Sequence, residues 1–447
     1  MRRFAALAAV LLAAVLASET ASAQEQTWLS DRRYREGPGF LVGDWELHPG
    51  LGAEFGFDSN YFRRGPAEDP VRALRIRISP SFSVSTLGPQ RREPGDPPPD
   101  VDFRADLTGA YNEFIPVSGT DQGKEAMADQ RNFAGDLGLS LGIMPQRTWS
   151  GRLHAGIGRS MMPTNEADPS VSYNRLRPSA GAEVIWTPGG GMLDWRLGYE
   201  FHGTIFEAGD FSELNRLDNY IVTRGRWRFF PRTAMLYDMK AGFLIYPDQS
   251  VKTNSYPLRT RIGVNGLITP SFAAMAMAGW GSSFYAGEQE DFDSVLAQLE
   301  VKWYLTPVPG GDPMQVTASL SSIAAGFIRD FDDSYIGTYF ERDRGYLKFS
   351  YLFGGVFLLV AEGGAGAVVF PAVPTNANYV GQGAWTDVAV DGSLFAEYRI
   401  KDMWGINTSL RYMGYFSDTV LTFTSGAGAD QLKYQRFEAF LGGRWFM

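Results

Sequence analysis

The chain of 447 residues contains no cysteine. Disulfides, thiolate metal sites and a cysteine-linked lipid anchor are therefore excluded. Histidine is almost as scarce, with only His48, His154 and His202 present. Beyond the first residues there is no run of about twenty apolar side chains, so no membrane-spanning helix is expected. Charge of one sign never gathers into a block. The formal net charge of -9 is spread along the sequence, which argues against nucleic acid, a partner that selects a basic face.

The N-terminus is more explicit. Arg2 and Arg3 precede an apolar stretch from Phe4 to Leu16, and Ala21-Ser22-Ala23 follows. A positive end, a short greasy core and small residues form a secretory leader, so residues 1–23 are read as a signal peptide. Residues 24–41 are polar and turn-rich, a short periplasmic lead too small for a plug domain. Residues 42–447 are read as one domain. An exported bacterial chain without a spanning helix is periplasmic, released, or a barrel in the Gram-negative outer membrane.

Periodicity separates these outcomes. From Arg72 to Ser85, Leu74, Ile76, Ile78, Phe82 and Val84 alternate with Arg75, Arg77, Ser79, Ser81 and Ser83. A strand sends successive side chains to opposite faces, so one face is apolar and the other cationic and hydroxylated. The same period recurs along the chain, for instance at Leu137, Leu139 and Leu141, at Ile221, Thr223 and Trp227, and at Met235, Tyr237 and Met239. Segments of this length and pattern are the staves of a membrane barrel. Counting them predicts an all-β fold, a single antiparallel up-and-down transmembrane barrel of about 18 strands, within a range of roughly 16–18. The register of Phe272 to Ala278 is ambiguous, because both phases are apolar.

Connections and tryptophans sharpen that expectation. Tight links such as Met144-Pro145-Gln146-Arg147, Thr187-Pro188-Gly189-Gly190 and Phe353-Gly354-Gly355 alternate with long ones near 112–131, 159–172, 371–383 and 417–431. Periplasmic turns and extracellular loops alternate in this way. Two links assigned to the periplasm, Gly88–Asp100 and Thr306–Met314, are longer than the rule favours. Trp45, Trp149, Trp186, Trp195, Trp227, Trp303, Trp404 and Trp445 all fall near the tight-turn ends, where indole suits the lipid headgroup zone.

Two stretches carry resemblances. Phe437, Ala439, Leu441, Gly443, Trp445 and Met447 form a terminal strand similar to the signal that outer-membrane barrels present to their assembly machinery. Met447 holds the slot usually taken by phenylalanine, which is displaced to Phe446. Gly43-Asp44-Trp45-Glu46-Leu47-His48-Pro49, with Phe57-Asp58-Ser59-Asn60 after it, resembles a β-barrel porin family associated with exopolysaccharide and capsule export. Its G-x-x-x-L-x-P strand is matched, and Phe57 stands where that family tends to have tyrosine. The resemblance implies an outer-membrane channel used in polysaccharide export, with polysaccharide and periplasmic export proteins as partners beside membrane lipid and lipopolysaccharide. It implies no cofactor.

The lumen phase supplies the candidate site. Arg75, Arg77, Arg104, Arg152, Arg175, Arg177, Arg224, Arg226, Arg228, Arg259 and Arg261 fall there, with Glu54, Asp102, Asp106, Glu183, Glu200, Asp238, Glu300, Asp387 and Asp391. These can pair across strands as wall structure. Alternatively, Arg224, Arg226 and Arg228 form a ladder that steers anionic or sugar solutes, since rings of arginine set pore selectivity; Asp238 and Glu200 would then neutralise part of it. Phe206, Tyr220, Tyr246, Tyr304 and Phe395 could stack on sugar rings or simply fill the wall. Alternatives to export are a general or oligosaccharide-selective diffusion porin and a closed structural or adhesive barrel. An enzyme is not expected. Its one rim candidate is His202 with Glu207 and Asp210, against a plain surface-loop reading. Glu288–Asp293 reads as a solvated loop rather than a calcium site, and Gly363-Gly364-Ala365-Gly366 as small lumen residues.

Overall fold

The computed structural model describes residues 39–447 except 67–68, 87–98, 129–131, 161–173, 287–288, 306–320, 335, 376–379, 402, 423 and 425–428. The leader and nearly all of the periplasmic lead lie outside the described residues. So do most of Gly88–Asp100, all of Thr306–Met314, and the first half of the stave expected near 315–329.

Alternation of side chains becomes eighteen long strands. They are β1 (Trp45–Asp58), β2 (Arg72–Thr86), β3 (Val101–Ser118), β4 (Asn132–Ile143), β5 (Trp149–Ser160) and β6 (Arg175–Trp186). Next come β7 (Leu193–Phe206), β8 (Arg216–Phe230), β9 (Thr233–Ile245), β10 (Ser255–Thr269), β11 (Phe272–Tyr285) and β12 (Phe292–Tyr304). The last six are β13 (Ser322–Asp333), β14 (Tyr339–Phe353), β15 (Phe357–Phe370), β16 (Trp385–Lys401), β17 (Trp404–Phe416) and β18 (Tyr434–Phe446). Each pairs antiparallel with its sequence neighbours, and β1 pairs with β18 from Gly50↔Phe446 to Asp58↔Glu438. The sheet is thus a closed barrel without free edges along its closing seam. β13 runs later than the expected 315–329, and β14 begins at Tyr339 rather than 335.

Outward positions carry the apolar phase. Ile76, Ile78, Leu137, Leu139, Ile157, Ile262, Val264, Leu299, Leu347 and Leu441 are all exposed. Leaving a large aliphatic side chain in water forgoes roughly 1.5–3 kcal/mol, so a barrel with this exterior is at rest only where lipid replaces water. Cross-strand partners settle the ambiguous register. Ala276 lies between Val264 and Leu299, both outward, so even positions of β11 face out and Met277 is buried inside. Thr223 is a polar exception on the outer face. Its hydroxyl accepts from Trp195 Nε1 at 3.1 Å and bonds Tyr237 Oη at 3.0 Å, so it meets lipid already satisfied.

The two rims differ. Trp149↔Trp186↔Trp195 and Trp404↔Trp445 are cross-strand partners at the rim of tight turns. Trp149 stacks on Trp186 at 5.6 Å, and Phe272 on Trp303 at 5.9 Å. The opposite rim carries the long connections, including a helix, α1 (Asp121–Ala128), whose Ala126 and Met127 pack with Tyr61, Phe62, Val71 and Phe114. Burial pushes the Tyr61 phenol up to about 12, against the pull of Arg75.

At the seam, Asp58 (β1), Arg75 (β2), Arg436 and Glu438 (β18) form a buried quartet. Arg75 Nη1 lies 3.2 Å from Asp58 and 2.8 Å from Glu438, while Arg436 Nη2 lies 2.5 Å and 2.8 Å from the same carboxylates. The chain end is clamped at the other end of the seam: Met447 N–H donates to Pro49 O, and His48 Nδ1 bonds Met447 O, both at 3.0 Å. Phe446 faces inward, buried under the Arg444 guanidinium 4.7 Å from its ring, so it does not share the outward phase of Phe437 and Leu441.

Candidate functional site

Inward surface is not equally accessible around the ring. From β16 through β18 to β1 and β2, inward Phe395, Glu397, Asn407, Arg436, Phe440, Arg444, Glu54, Arg75 and Ser79 are buried. From β3 to β9 the inward side chains are mostly half-buried or exposed, and many are glycine or serine: Gly138, Ser140, Gly142, Gly156, Gly181 and Gly198. A Cβ built on Gly138 would meet nothing within 4 Å. Small side chains there leave a wetted wall, and the charges on it face water.

Those charges are dominated by arginine. Period two places Arg224, Arg226 and Arg228 on one face of β8, roughly 6.6 Å apart along the strand. Arg224 Nη2 is 2.9 Å from Glu183 Oε1 on β6, two strands away; Gly198, opposite Glu183 on β7, leaves the space through which they meet. Arg196 is held by Asp194 at 2.8 Å and lies 3.8 Å from Glu183. Among the described residues, Arg226 and Arg228 form no ion pair within 4 Å, and neither do Arg152 and Arg177 on the same wall. Arg177 faces Asp136 across Gly158 without bonding it. Like charges at two-residue spacing repel, and Asp194, directly opposite Arg226, offsets only part of that repulsion.

Asp238, directly opposite Arg224, binds Arg261 at 3.3 Å, and Glu200 sits 3.8 Å from His202 with Arg224 in reach of its charge. The ion pairs on β6 to β8 come from Glu183 and Asp194. The reason is geometric: a long arginine passes over the bare Gly198 and reaches a carboxylate two strands away.

Other candidates face inward but are enclosed. Arg75 is in the seam quartet, and Arg77 pairs with Glu54 at 3.1 Å beneath Phe440. Arg259 and Arg261 are engaged by Asp330 at 3.2 and 3.5 Å. Arg175 donates to Ser160 Oγ at 3.4 Å near the long-loop rim. Tyr220 is buried with Lys240 Nζ 3.8 Å from its ring centre, and Phe206, Tyr246, Tyr304 and Phe395 are buried as well. Buried to this extent, these rings fill the wall and present little surface to a sugar. Gly364 makes room for Arg344, whose Nε would lie 2.6 Å from a Cβ there; the guanidinium instead reaches Glu362 and Asp391.

His202 and Glu207 are not brought together: Glu207 pairs with Arg159 at 2.6 Å. Among the described residues there is no group of three or more His, Asp or Glu placed to hold a metal ion; Glu288 of the acidic loop lies outside them. The sequence reading missed Asp330 and Asp333. Their only signal was the acidic run Asp330-Phe331-Asp332-Asp333, out of keeping with an ordinary stave.

No protein family and no curated protein matches the chain. Similar solved structures include a BenF-like porin from Pseudomonas fluorescens Pf-5, at 10% identity and TM-score 0.48, covering 91% of this chain and 100% of that one. Pseudomonas aeruginosa OpdK with vanillate is similar at 12% identity and TM-score 0.47, covering 92% and 100%. Acinetobacter baumannii OccAB3 is similar at 11% identity and TM-score 0.46, covering 91% and 100%.

Proposed function

We propose that the chain is an outer-membrane diffusion channel for small solutes, biased toward anions, with its path along the inward wall of β3 to β9. The observation that carries this reading is the set of exposed or half-buried arginines, Arg152, Arg177, Arg226 and Arg228, which among the described residues have no carboxylate within 4 Å. Cations fixed in a confined aqueous path raise the local concentration of anions and admit them preferentially. No step needs a cofactor or a catalytic group. The exposed apolar exterior, the aromatic rim and the terminal strand support residence in the Gram-negative outer membrane after leader cleavage, with delivery by the barrel assembly machinery.

Export of polysaccharide rests on the resemblance at Gly43–Pro49 and Phe57–Asn60 alone. The aromatic rings that a passing glycan would use are buried, so diffusion is preferred. The test is reversal potential across a planar bilayer under a salt gradient. Arg226→Gln with Arg228→Gln should shift selectivity toward cations while the folded, heat-modifiable band is retained. Unchanged selectivity in a conducting pore would overturn the anionic bias. Loss of surface polysaccharide on deleting the chain, with normal solute permeability, would restore the export reading.

A further inference from the structure

The outer half of β13 leaves the wall. Pairing with β12 runs from Tyr304↔Ser322 to Ala297↔Arg329 and then stops, so among the described residues Phe292 to Leu296 have no ladder partner on that side. β13 stays paired with β14 as far as Asp333↔Tyr339, so the two ends travel together as a hairpin. Phe331 turns inward onto Phe292, ring centres 4.1 Å apart, above a fully buried Leu296. Arg329 Nε donates to Val295 O at 3.2 Å, standing in for a missing ladder bond.

The hairpin end is gripped from across the mouth by the ends of β8 to β11. Arg216 on β8 reaches Asp333 at 2.9 Å, and Arg259 on β10 reaches Asp330 at 3.2 Å. The Tyr246 hydroxyl donates to Asp333, Lys252 donates to the carbonyls of Ser334 and Gly337, and Tyr285 donates to Thr338 O. β8 and β13 are five strands apart, about 24 Å along the wall at ~4.8 Å per strand. A direct ion pair between them spans that chord.

We propose that the end of the β13–β14 hairpin is a latch that narrows the long-loop mouth and can swing back into the wall. The return position is already built. Extending the existing register would set Leu296 opposite Asp330 and Asp293 opposite Asp333, restoring the ladder that the free edge of β12 lacks. In that register Phe331 would follow Phe327 and Arg329 to the outer face, beside exposed Val295. The latched state exchanges backbone ladder bonds for ion pairs and leaves Asp333 Oδ1 buried without a partner. Burial also holds the Lys252 amine below its ordinary value. Two arrangements of one hairpin, each missing bonds the other makes, constitute a two-state element.

The inference rests on the channel reading, and bilayer recording tests both. Asp330→Asn with Asp333→Asn should raise open occupancy about tenfold or more, because breaking buried pairs from one side strongly favours the other state. Tyr246→Phe and Lys252→Met are milder variants that should shift it the same way should the double variant not assemble. In the otherwise cysteine-free chain, Arg216→Cys with Asp333→Cys should also open the mouth. A short bis-methanethiosulfonate crosslinker should then close it, and reductant should reopen it. Current identical to the native chain in every variant, crosslinked or not, would overturn the latch and leave the channel standing. Silence from all forms, properly folded, would overturn both.

Discussion

Asp58→Ala should be among the most damaging single changes in this barrel. The Asp58 side chain has no exposure and accepts from Arg436 Nε at 3.1 Å, Arg436 Nη2 at 2.5 Å and Arg75 Nη1 at 3.2 Å. Its loss leaves two guanidiniums sharing Glu438, under Tyr61, Phe114 and Phe440, with no water to restore what was removed. Hydrogen bonds to charged groups contribute roughly 1.5–3 kcal/mol each, and breaking a buried pair from one side costs about 3–5 kcal/mol. Glu438 still holds both arginines, so the lower end, about 3 kcal/mol, is expected. Asp106→Ala is the control. Its pair with Arg104 is 2.8 Å long, but both side chains are about a third or more exposed, and such pairs contribute about 0–1 kcal/mol. Urea unfolding of the barrel refolded into vesicles, read by tryptophan emission and by the heat-modifiable band, gives both numbers. An Asp58→Ala loss no larger than that of Asp106→Ala would refute the view that the quartet holds the seam.

Ile76→Arg places a charge on the lipid face and should cost roughly 2–4 kcal/mol, whereas Gly138→Arg, inward with open space above it, should assemble normally; equal damage in refolding yields would sink the assignment of faces. Gly279→Ala should destabilise by about 1–3 kcal/mol, since its Cβ would lie 1.7 Å from Thr260 O, and a native-like midpoint would mean the β10–β11 wall bends more freely than described. Tags placed in 417–431 should be labelled on intact cells and tags at Gln146 or Gly189 should not; reversed labelling would invert the orientation.

The fold was legible because a barrel writes the same message eighteen times. Each stave needs only alternation, and one slipped residue would turn every side chain to the wrong medium. That is why Ile76, Ile78 and Leu441 sit on the face their spacing assigned. The site was legible only as a phase. Spacing tells that Arg75 and Arg226 both face inward; it does not tell that one is sealed under aromatic rings while the other faces water. That distinction depends on curvature and on contacts two strands away, such as Glu183 with Arg224. The inward fold of β13 was hidden for a related reason. It is decided where pairing with β12 ends, after Arg329, and the acidic run that starts at Asp330 marks that place without telling which way the strand turns.

The uneven lumen has an electrical consequence. The resistance of a water column falls as its cross-section grows, and strand number sets only the outer bound on that section. Here the inward wall at the closing seam, from β17 to β2, is packed with buried side chains, while β3 to β8 and the β14–β15 wall, with the Arg342 and Lys348 side chains 40% and 50% exposed, are open to water. Current should therefore follow an off-axis column hugging one side, with a conductance closer to that of a much smaller ring. Neutralising substitutions on β16 to β18 should change how firmly the barrel stands and leave its ohmic behaviour almost untouched, whereas the same exchange at Arg152 or Arg226 should register directly in the current.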